Sequence, residues 1–326
     1  MKSGMRPFGE LGSLFENQSK DIWDRLGYVR DSLDSRGVLG PVRFGEETIT
    51  DLLMMDLYLH GSRLAYLQQT SKPDEAMWGT DFELWLGSES KGWFRFAIQA
   101  KKLDLRTDRY SSLTQANANG SQIDLLREYG RINRAAPLYC LYNHTDGADC
   151  CDHWHCCSKP VDLKQLGCTI SPLRNIQKAI DQWGGKNFHD IHKNESTLPW
   201  KCLVSCPMVW YSLEVVSGGK SDQPDLKVSP LFDPASCYHE TAPLVLRGDS
   251  GAKIVRENER GGSLISIRID EDRKIDGLVD RSGIAVRDDF MERYSRDIGL
   301  PKAVAVLEVH GPDQPTMRGP CGPVAR

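Results

Sequence analysis

The chain has 326 residues, of which 40% are hydrophobic and 26% charged, with a formal net charge of −4 at pH 7. That composition excludes an intrinsically disordered polymer and gives no global attraction to nucleic acid, so a phosphate-binding surface has to be local. The opening MKSGMRPFGELGSLF has no apolar signal core, and no run of about 18 uncharged apolar residues occurs anywhere; the expectation is a cytoplasmic protein with no membrane contact.

Residues 1–40 carry a helical pattern with Ile22, Trp23, Leu26 and Val29 on one side, closed by Gly37 and Gly40. From Glu46 a second amphipathic pattern begins. Ile49, Leu52, Leu53, Leu57, Leu64 and Leu67 recur at i, i+3, i+4 spacing, and Thr48 with Asp51 has the form of a capping box. Glu46 and Glu47 suit the positive end of the helix dipole.

The segment GTDFELWLGSESKGWFRFAIQAKK, Gly79 to Lys102, reads as a β-hairpin. Thr80 to Leu86 alternates polar and apolar residues, Trp93 to Ile98 is aromatic and β-branched, and Gly87 to Gly92 supplies the turn. Folding about Ser90 sets Asp81 opposite Gln99. The two-residue strand repeat puts Gln99 and Lys101 on one face and points Ala100 away. A carboxylate, an amide oxygen and an ammonium then meet at one end of the hairpin, a set that suits a hard divalent cation beside a lysine able to orient water or steady a phosphate.

Lys101, Lys102, Arg106 and Arg109 crowd just after the hairpin. Leu103 to Asn119 is a polar loop in which Tyr110, Gln115 and Asn117 could contact bases or sugars, or serve as turn residues. Ser121 caps a helix with apolar Ile123, Leu125, Leu126, Tyr129 and Ile132; Arg127, Arg131 and Arg134 follow at helical spacing as a phosphate track or a solvated face. Gln122, in its first turn, is a candidate for contacting the substrate. Ala135 to Tyr142 reads as a buried strand.

Asp81, an apolar hairpin, then Ile98-Gln99-Ala100-Lys101 resembles the signature of the PD-(D/E)XK nuclease superfamily, most nearly its Mrr-like restriction endonucleases, in which Gln replaces the acidic residue before x-Lys. The resemblance covers Glu46 to Asn143 with some margin. It implies an α+β restriction-endonuclease-like core, α-β-β-β-α-β, whose third strand falls near Met77 or within the hairpin segment. It further implies an endonuclease that hydrolyses phosphodiester bonds of DNA, RNA remaining open, in bacterial restriction or anti-phage defence. The implied ligands of Mg²⁺, or of Mn²⁺ in its place, are Asp81, the Gln99 side-chain oxygen, the Ala100 carbonyl and a helix glutamate. That role is carried to Glu47, with Glu46 as fallback. Lys101 would orient the attacking water; Lys102, Gln122 and Tyr110 would meet substrate. A homo-oligomer or a companion defence protein fits the same picture.

Residues 146–217 form a Cys/His-containing extension. Cys150-Cys151-Asp152-His153-Trp154-His155-Cys156-Cys157 precedes Cys168, Cys202 and Cys206. Cys151 or His153 with Cys156, Cys202 and Cys206 could complete a zinc tetrahedron. The spacing matches no recognised finger, so thiols are the default reading and structural Zn²⁺ the alternative. Leu163 to Trp183 has helical spacing broken by Pro172, and Trp200 to Trp210 reads as a strand. Residues 218–326 hold a Gly/Ser/Asp/Pro connector to Pro230, a strand at Leu264 to Ile269, a helix at Arg287 to Arg296, a strand at Ala303 to Val309 and a Pro/Gly-rich, disordered tail. The competing function is a nuclease-like protein that no longer cleaves and only binds nucleic acid, or a zinc-stabilised interaction module.

Overall fold

The computed structural model describes residues 7–32, 44–60, 65–69, 79–88, 92–133, 135–156, 161–182, 185–206, 209, 268–269, 275–276 and 303–308. Apolar side chains recurring every three or four residues build α1 (Pro7–Asp31) and α2 (Glu46–His60). The helix starts at Glu46, before the expected Thr48 cap. It also stops at His60: Leu67, expected on this helix, lies in strand β1 (Ala65–Gln69), and Leu64 lies outside the described residues. The hairpin is β2 (Phe82–Ser88) and β3 (Gly92–Lys102). The loop after it holds a 3-10 turn (Ser111–Thr114) and a two-residue pair, β4 (Ala116–Asn117) with β5 (Gly120–Ser121). Helix α3 (Gln122–Asn133) and strand β6 (Ala136–Tyr142) follow. Ser121 caps α3, donating to Asp124 Oδ2 at 2.5 Å and accepting from its N–H at 3.3 Å.

The next segment is α4 (Cys150–His153), a 3-10 turn (Leu163–Gly167), β7 (Cys168–Pro172), α5 (Leu173–Asp181), α6 (Phe188–His192), β8 (Leu198–Pro199) and α7 (Cys202–Ser205). Two readings are corrected here. Leu163 to Trp183 is not one broken helix, because Cys168 to Pro172 is fully buried and pairs with β6; Pro172 is the residue at which the chain leaves the sheet for α5. Beyond Trp200 the chain coils into α7 instead of extending as a strand. Short strands β9 (Arg268–Ile269) and β10 (Ile275–Asp276) pair with each other, and β11 (Ala303–Glu308) stands at the expected strand. Met77, the connector, the Arg287 to Arg296 helix and the tail lie outside the described residues.

The sheet has seven strands in the order β1-β11-β2-β3-β6-β7-β8. The pairs β11–β2 and β3–β6 are parallel and the others antiparallel, so the protein is mixed α/β with a mixed sheet between helices. The sheet runs across the boundaries at 145/146 and 217/218 read from the sequence, since β7 and β8 extend it on one side and β11 enters beside β2.

Each sheet face buries its own apolar cluster. One face carries Phe82, Leu84, Phe96, Ile98, Ala100 and Leu138 under α1, α2 and Trp200. Gln18 ties these covers together, donating to the Leu53 carbonyl at 2.9 Å and accepting from Trp200 Nε1 at 3.2 Å. The opposite face carries Ala97, Tyr139 and Leu141 under α3, α5 and α6. Glu83 of β2 and Gln99 and Lys101 of β3 alternate with these first-face residues and so point to the second face.

Candidate functional site

Strand β3 ends with Ile98 and Ala100 in the first cluster and Gln99 and Lys101 on the other face. The register Phe82–Ile98 ends beside Asp81, whose N–H donates to the Ile98 carbonyl at 2.9 Å and whose carboxylate meets the Gln99 side chain. Gly79 delivers Asp81 there. Its φ of +61° favours glycine, and a Cβ would stand 2.7 Å from the Gln122 carbonyl at the start of α3.

One carboxylate oxygen organises the centre. Asp81 Oδ2 accepts from Gln99 Nε2 at 2.5 Å and from the Ala100 peptide N–H at 2.6 Å, and the same Gln99 nitrogen lies 3.3 Å from the Ala100 carbonyl. Asp81 and Gln99 are both buried. An amide N–H donor therefore bridges two acceptors, a side-chain carboxylate and a main-chain carbonyl.

Lys101 is buried, and an ammonium out of water requires a counter-charge. Glu46 provides it: Oε1 lies 3.3 Å from Lys101 Nζ, and Oε2 accepts from the Lys102 peptide N–H at 2.8 Å. The helix carboxylate brought to the site is thus Glu46, the fallback of the sequence reading; the preferred Glu47 is solvent-exposed. The one-residue difference follows from the helix starting at Glu46, which rotates that side chain onto β3.

Lys102 is half-buried, and burial pulls its ammonium below the ordinary lysine range, while the carboxylates of Asp104 and Glu46 act in the opposite direction. With Glu46, Asp104, Arg106, Ser111 and Ser112 it lines an open cleft of about 260 Å³. Tyr110, expected to meet substrate, is fully buried in the second cluster and its phenol donates to Asn143 Oδ1. Its hydroxyl already has a partner inside the protein, which makes it a core residue. Gln122 is half-buried, and its Oε1 is a buried atom with no hydrogen-bond partner. Of the α3 arginines, Arg131 pairs with Glu128 of its own helix, and Arg127 pairs with Asp124 and donates to Gln177 of α5 at 3.0 Å, which favours a structural face over a phosphate track; Arg134 lies outside the described residues.

Two residues of this face escaped sequence reasoning. Glu83, two positions after Asp81, is buried and accepts from the Tyr129 phenol at 2.5 Å. Strand alternation was the signal that could have found it. Tyr139 is the β6 partner of Gln99, and only the parallel pairing of β3 with β6 brings it there.

The zinc candidates are divided. Cys202 and Cys206 belong to the first cluster and Cys156 packs against it, whereas His153 contacts Phe188 of the second cluster and its Nε2 lies 2.9 Å from His189 Nδ1. Among the described residues, Asp149, Cys150 and Cys151 form an exposed group with ligand atoms within 4.8 Å of one another. The Asp149 carboxylate already caps α4 by accepting from the Cys151 and Asp152 N–H groups.

The molecule is a mixed α/β protein with a buried polar row set into one face of its sheet. A family model described as a family of unknown function (DUF6615) matches residues 11–272, and the chain belongs to that family. No curated protein and no solved structure matches it. Among the described residues no helix is long and apolar enough to cross a membrane.

Proposed function

We propose that this protein is a divalent-metal-dependent endonuclease that hydrolyses phosphodiester bonds of DNA, of the PD-(D/E)XK type in its Mrr-like, Gln-x-Lys form. The observation that carries the reading is the convergence of the Asp81 carboxylate, the Gln99 amide and the Ala100 carbonyl beside a buried Lys101 that is held by Glu46. With the two-residue strands β4 and β5 set aside as part of the loop after β3, the succession α2, β1, β2, β3, α3, β6 also has the α-β-β-β-α-β order of such a core. It departs from the simplest form in that β11 lies between β1 and β2.

The donor set fits Mg²⁺ or Mn²⁺, because every candidate ligand atom is an oxygen. The Gln99 nitrogen now spans two acceptors that a cation would draw together; turning the amide over would offer its oxygen instead. Asp81, Gln99, Ala100 and Glu46 are the residues that would hold the ion, and when bound it would supply positive charge to polarise a phosphoryl oxygen and acidify water. Lys101, fixed by Glu46, would orient the attacking water and offset the charge that develops on the phosphate. The Gln122 carbonyl lies against Gly79, two residues before Asp81, and the Lys102 N–H is held by Glu46. A role in restriction or anti-phage defence is what the resemblance adds.

The test is incubation of plasmid DNA with Mg²⁺ or Mn²⁺, comparing wild type with Asp81→Ala and Lys101→Ala, with an RNA substrate as a parallel arm. Nicking or linearisation by wild type and a loss of at least about a hundredfold in both variants is expected, the scale of removing one group that stabilises the transition state. Plasmid bound but left intact by wild type would favour a binding protein over a nuclease.

A further inference from the structure

Asp81, just before β2, Gln99 of β3 and Tyr139 of β6 form a row: Gln99 donates to the Asp81 carboxylate on one side and pairs with Tyr139 on the other. Paired positions share a sheet face, so the three side chains stand together under α3. Tyr139 is fully buried, yet its phenol oxygen has no hydrogen-bond partner. Buried phenols nearly always find one, and an orphan costs about 1–3 kcal/mol, so packing alone would be served better by phenylalanine. Only four such orphaned side-chain atoms occur among the described residues, and a second, Gln122 Oε1, belongs to the same corner, where Gly79 passes the first turn of α3 two residues before Asp81.

We propose that Tyr139 is a ligand-contacting residue of this site, its O–H donating a hydrogen bond to a non-bridging phosphoryl oxygen of the bound phosphodiester. The assignment rests on the nuclease reading and adds to it a donor from β6, beside Gln99 on the sheet face that also carries Lys101. It accounts for an unsatisfied hydroxyl kept in the interior: the partner arrives with the ligand.

The experiment measures binding of a short DNA duplex by fluorescence anisotropy at fixed salt with Ca²⁺, for wild type, Tyr139→Phe and Lys101→Ala, together with the melting temperature of each protein. Tyr139→Phe is expected to melt at or above the wild-type temperature and to bind about tenfold more weakly, the scale of one hydrogen bond to a charged oxygen. Wild-type affinity in Tyr139→Phe overturns the assignment, as does a weakened affinity accompanied by a lowered melting temperature, which marks a packing role. If Lys101→Ala weakens binding while Tyr139→Phe does not, the nuclease reading stands and Tyr139 leaves it. If wild type fails to bind the duplex, both fall.

Discussion

Gln99 Nε2 lies 2.5 Å from Asp81 Oδ2, so an amide hydrogen occupies the place where a second carboxylate would meet the first. Without a cation, two buried carboxylates at that separation would repel, and one would have to bind a proton. Gln99→Glu is therefore expected to lower stability in EDTA at neutral pH by about 1–3 kcal/mol. The deficit should shrink on acidification and on adding Mg²⁺ or Mn²⁺. Urea unfolding with and without metal reads this; a deficit that ignores both pH and metal would remove the metal site from the argument.

Glu46 and Lys101 make a second separable prediction. Removing Glu46 strands an ammonium that is 3% exposed, so Glu46→Gln should cost stability even with no substrate present. The Glu46 side chain is 30% exposed, which limits the loss to about 1–2 kcal/mol. Lys101→Met keeps the buried stem and discards the charge, so it should fold with near wild-type stability and fail to cleave. Glu47→Gln should leave the Glu46–Lys101 pair and cleavage intact. Equal effects from Glu46→Gln and Glu47→Gln would refute the placement of Glu46 at the lysine.

Gly167 fixes α1 to the sheet. A Cβ there would stand 2.1 Å from the Ser19 carbonyl oxygen and 2.7 Å from the Trp23 nitrogen, both backbone atoms of α1. Backbone cannot step aside as a side-chain tip can. Gly167→Ala is expected to cost about 1–3 kcal/mol by overpacking, and hydrogen exchange should show the loss concentrated in α1. Protection of α1 as in wild type would mean the helix can shift without penalty.

The hairpin and its polar row were legible because a period of two fixes faces, and Asp81 and Gln99 are joined by nothing more than turn length. The start of the α2 pattern at Glu46 was legible, but the capping box suggested by Thr48 and Asp51 was not the helix start, because both residues lie inside α2. β7 was hidden for a different reason. Cys168 to Pro172 is buried on both faces, so it carries no alternation, and a short apolar run reads equally as strand or helix. Tyr110 misled because polar neighbours made its segment look like a surface loop, whereas its ring fills the second cluster. Tyr139 was out of reach of any local pattern, since its place beside Gln99 depends on a parallel pairing made across α3.

His192 gives the last prediction. It is fully buried, with Nδ1 2.9 Å from the Phe188 carbonyl and Nε2 2.9 Å from Thr169 Oγ1 and 3.4 Å from Asn143 Nδ2. The carbonyl fixes the proton on Nδ1, leaving Nε2 as acceptor for the hydroxyl and the amide. Burial drives its pKa down to about 3, with His153 and His155 adding repulsion and the Phe188 carbonyl opposing. A folded pKa below the unfolded value means that the unfolded chain takes up a proton first as pH falls. The stabilisation is therefore complete above about pH 6.5 and is lost progressively toward pH 3, at up to about 1.4 kcal/mol per pH unit. Urea unfolding from pH 7 to pH 4 should show this decline, and His192→Gln, which offers an amide donor and an acceptor without titrating, should flatten it. Parallel pH profiles for the two proteins would show that His192 does not carry the effect.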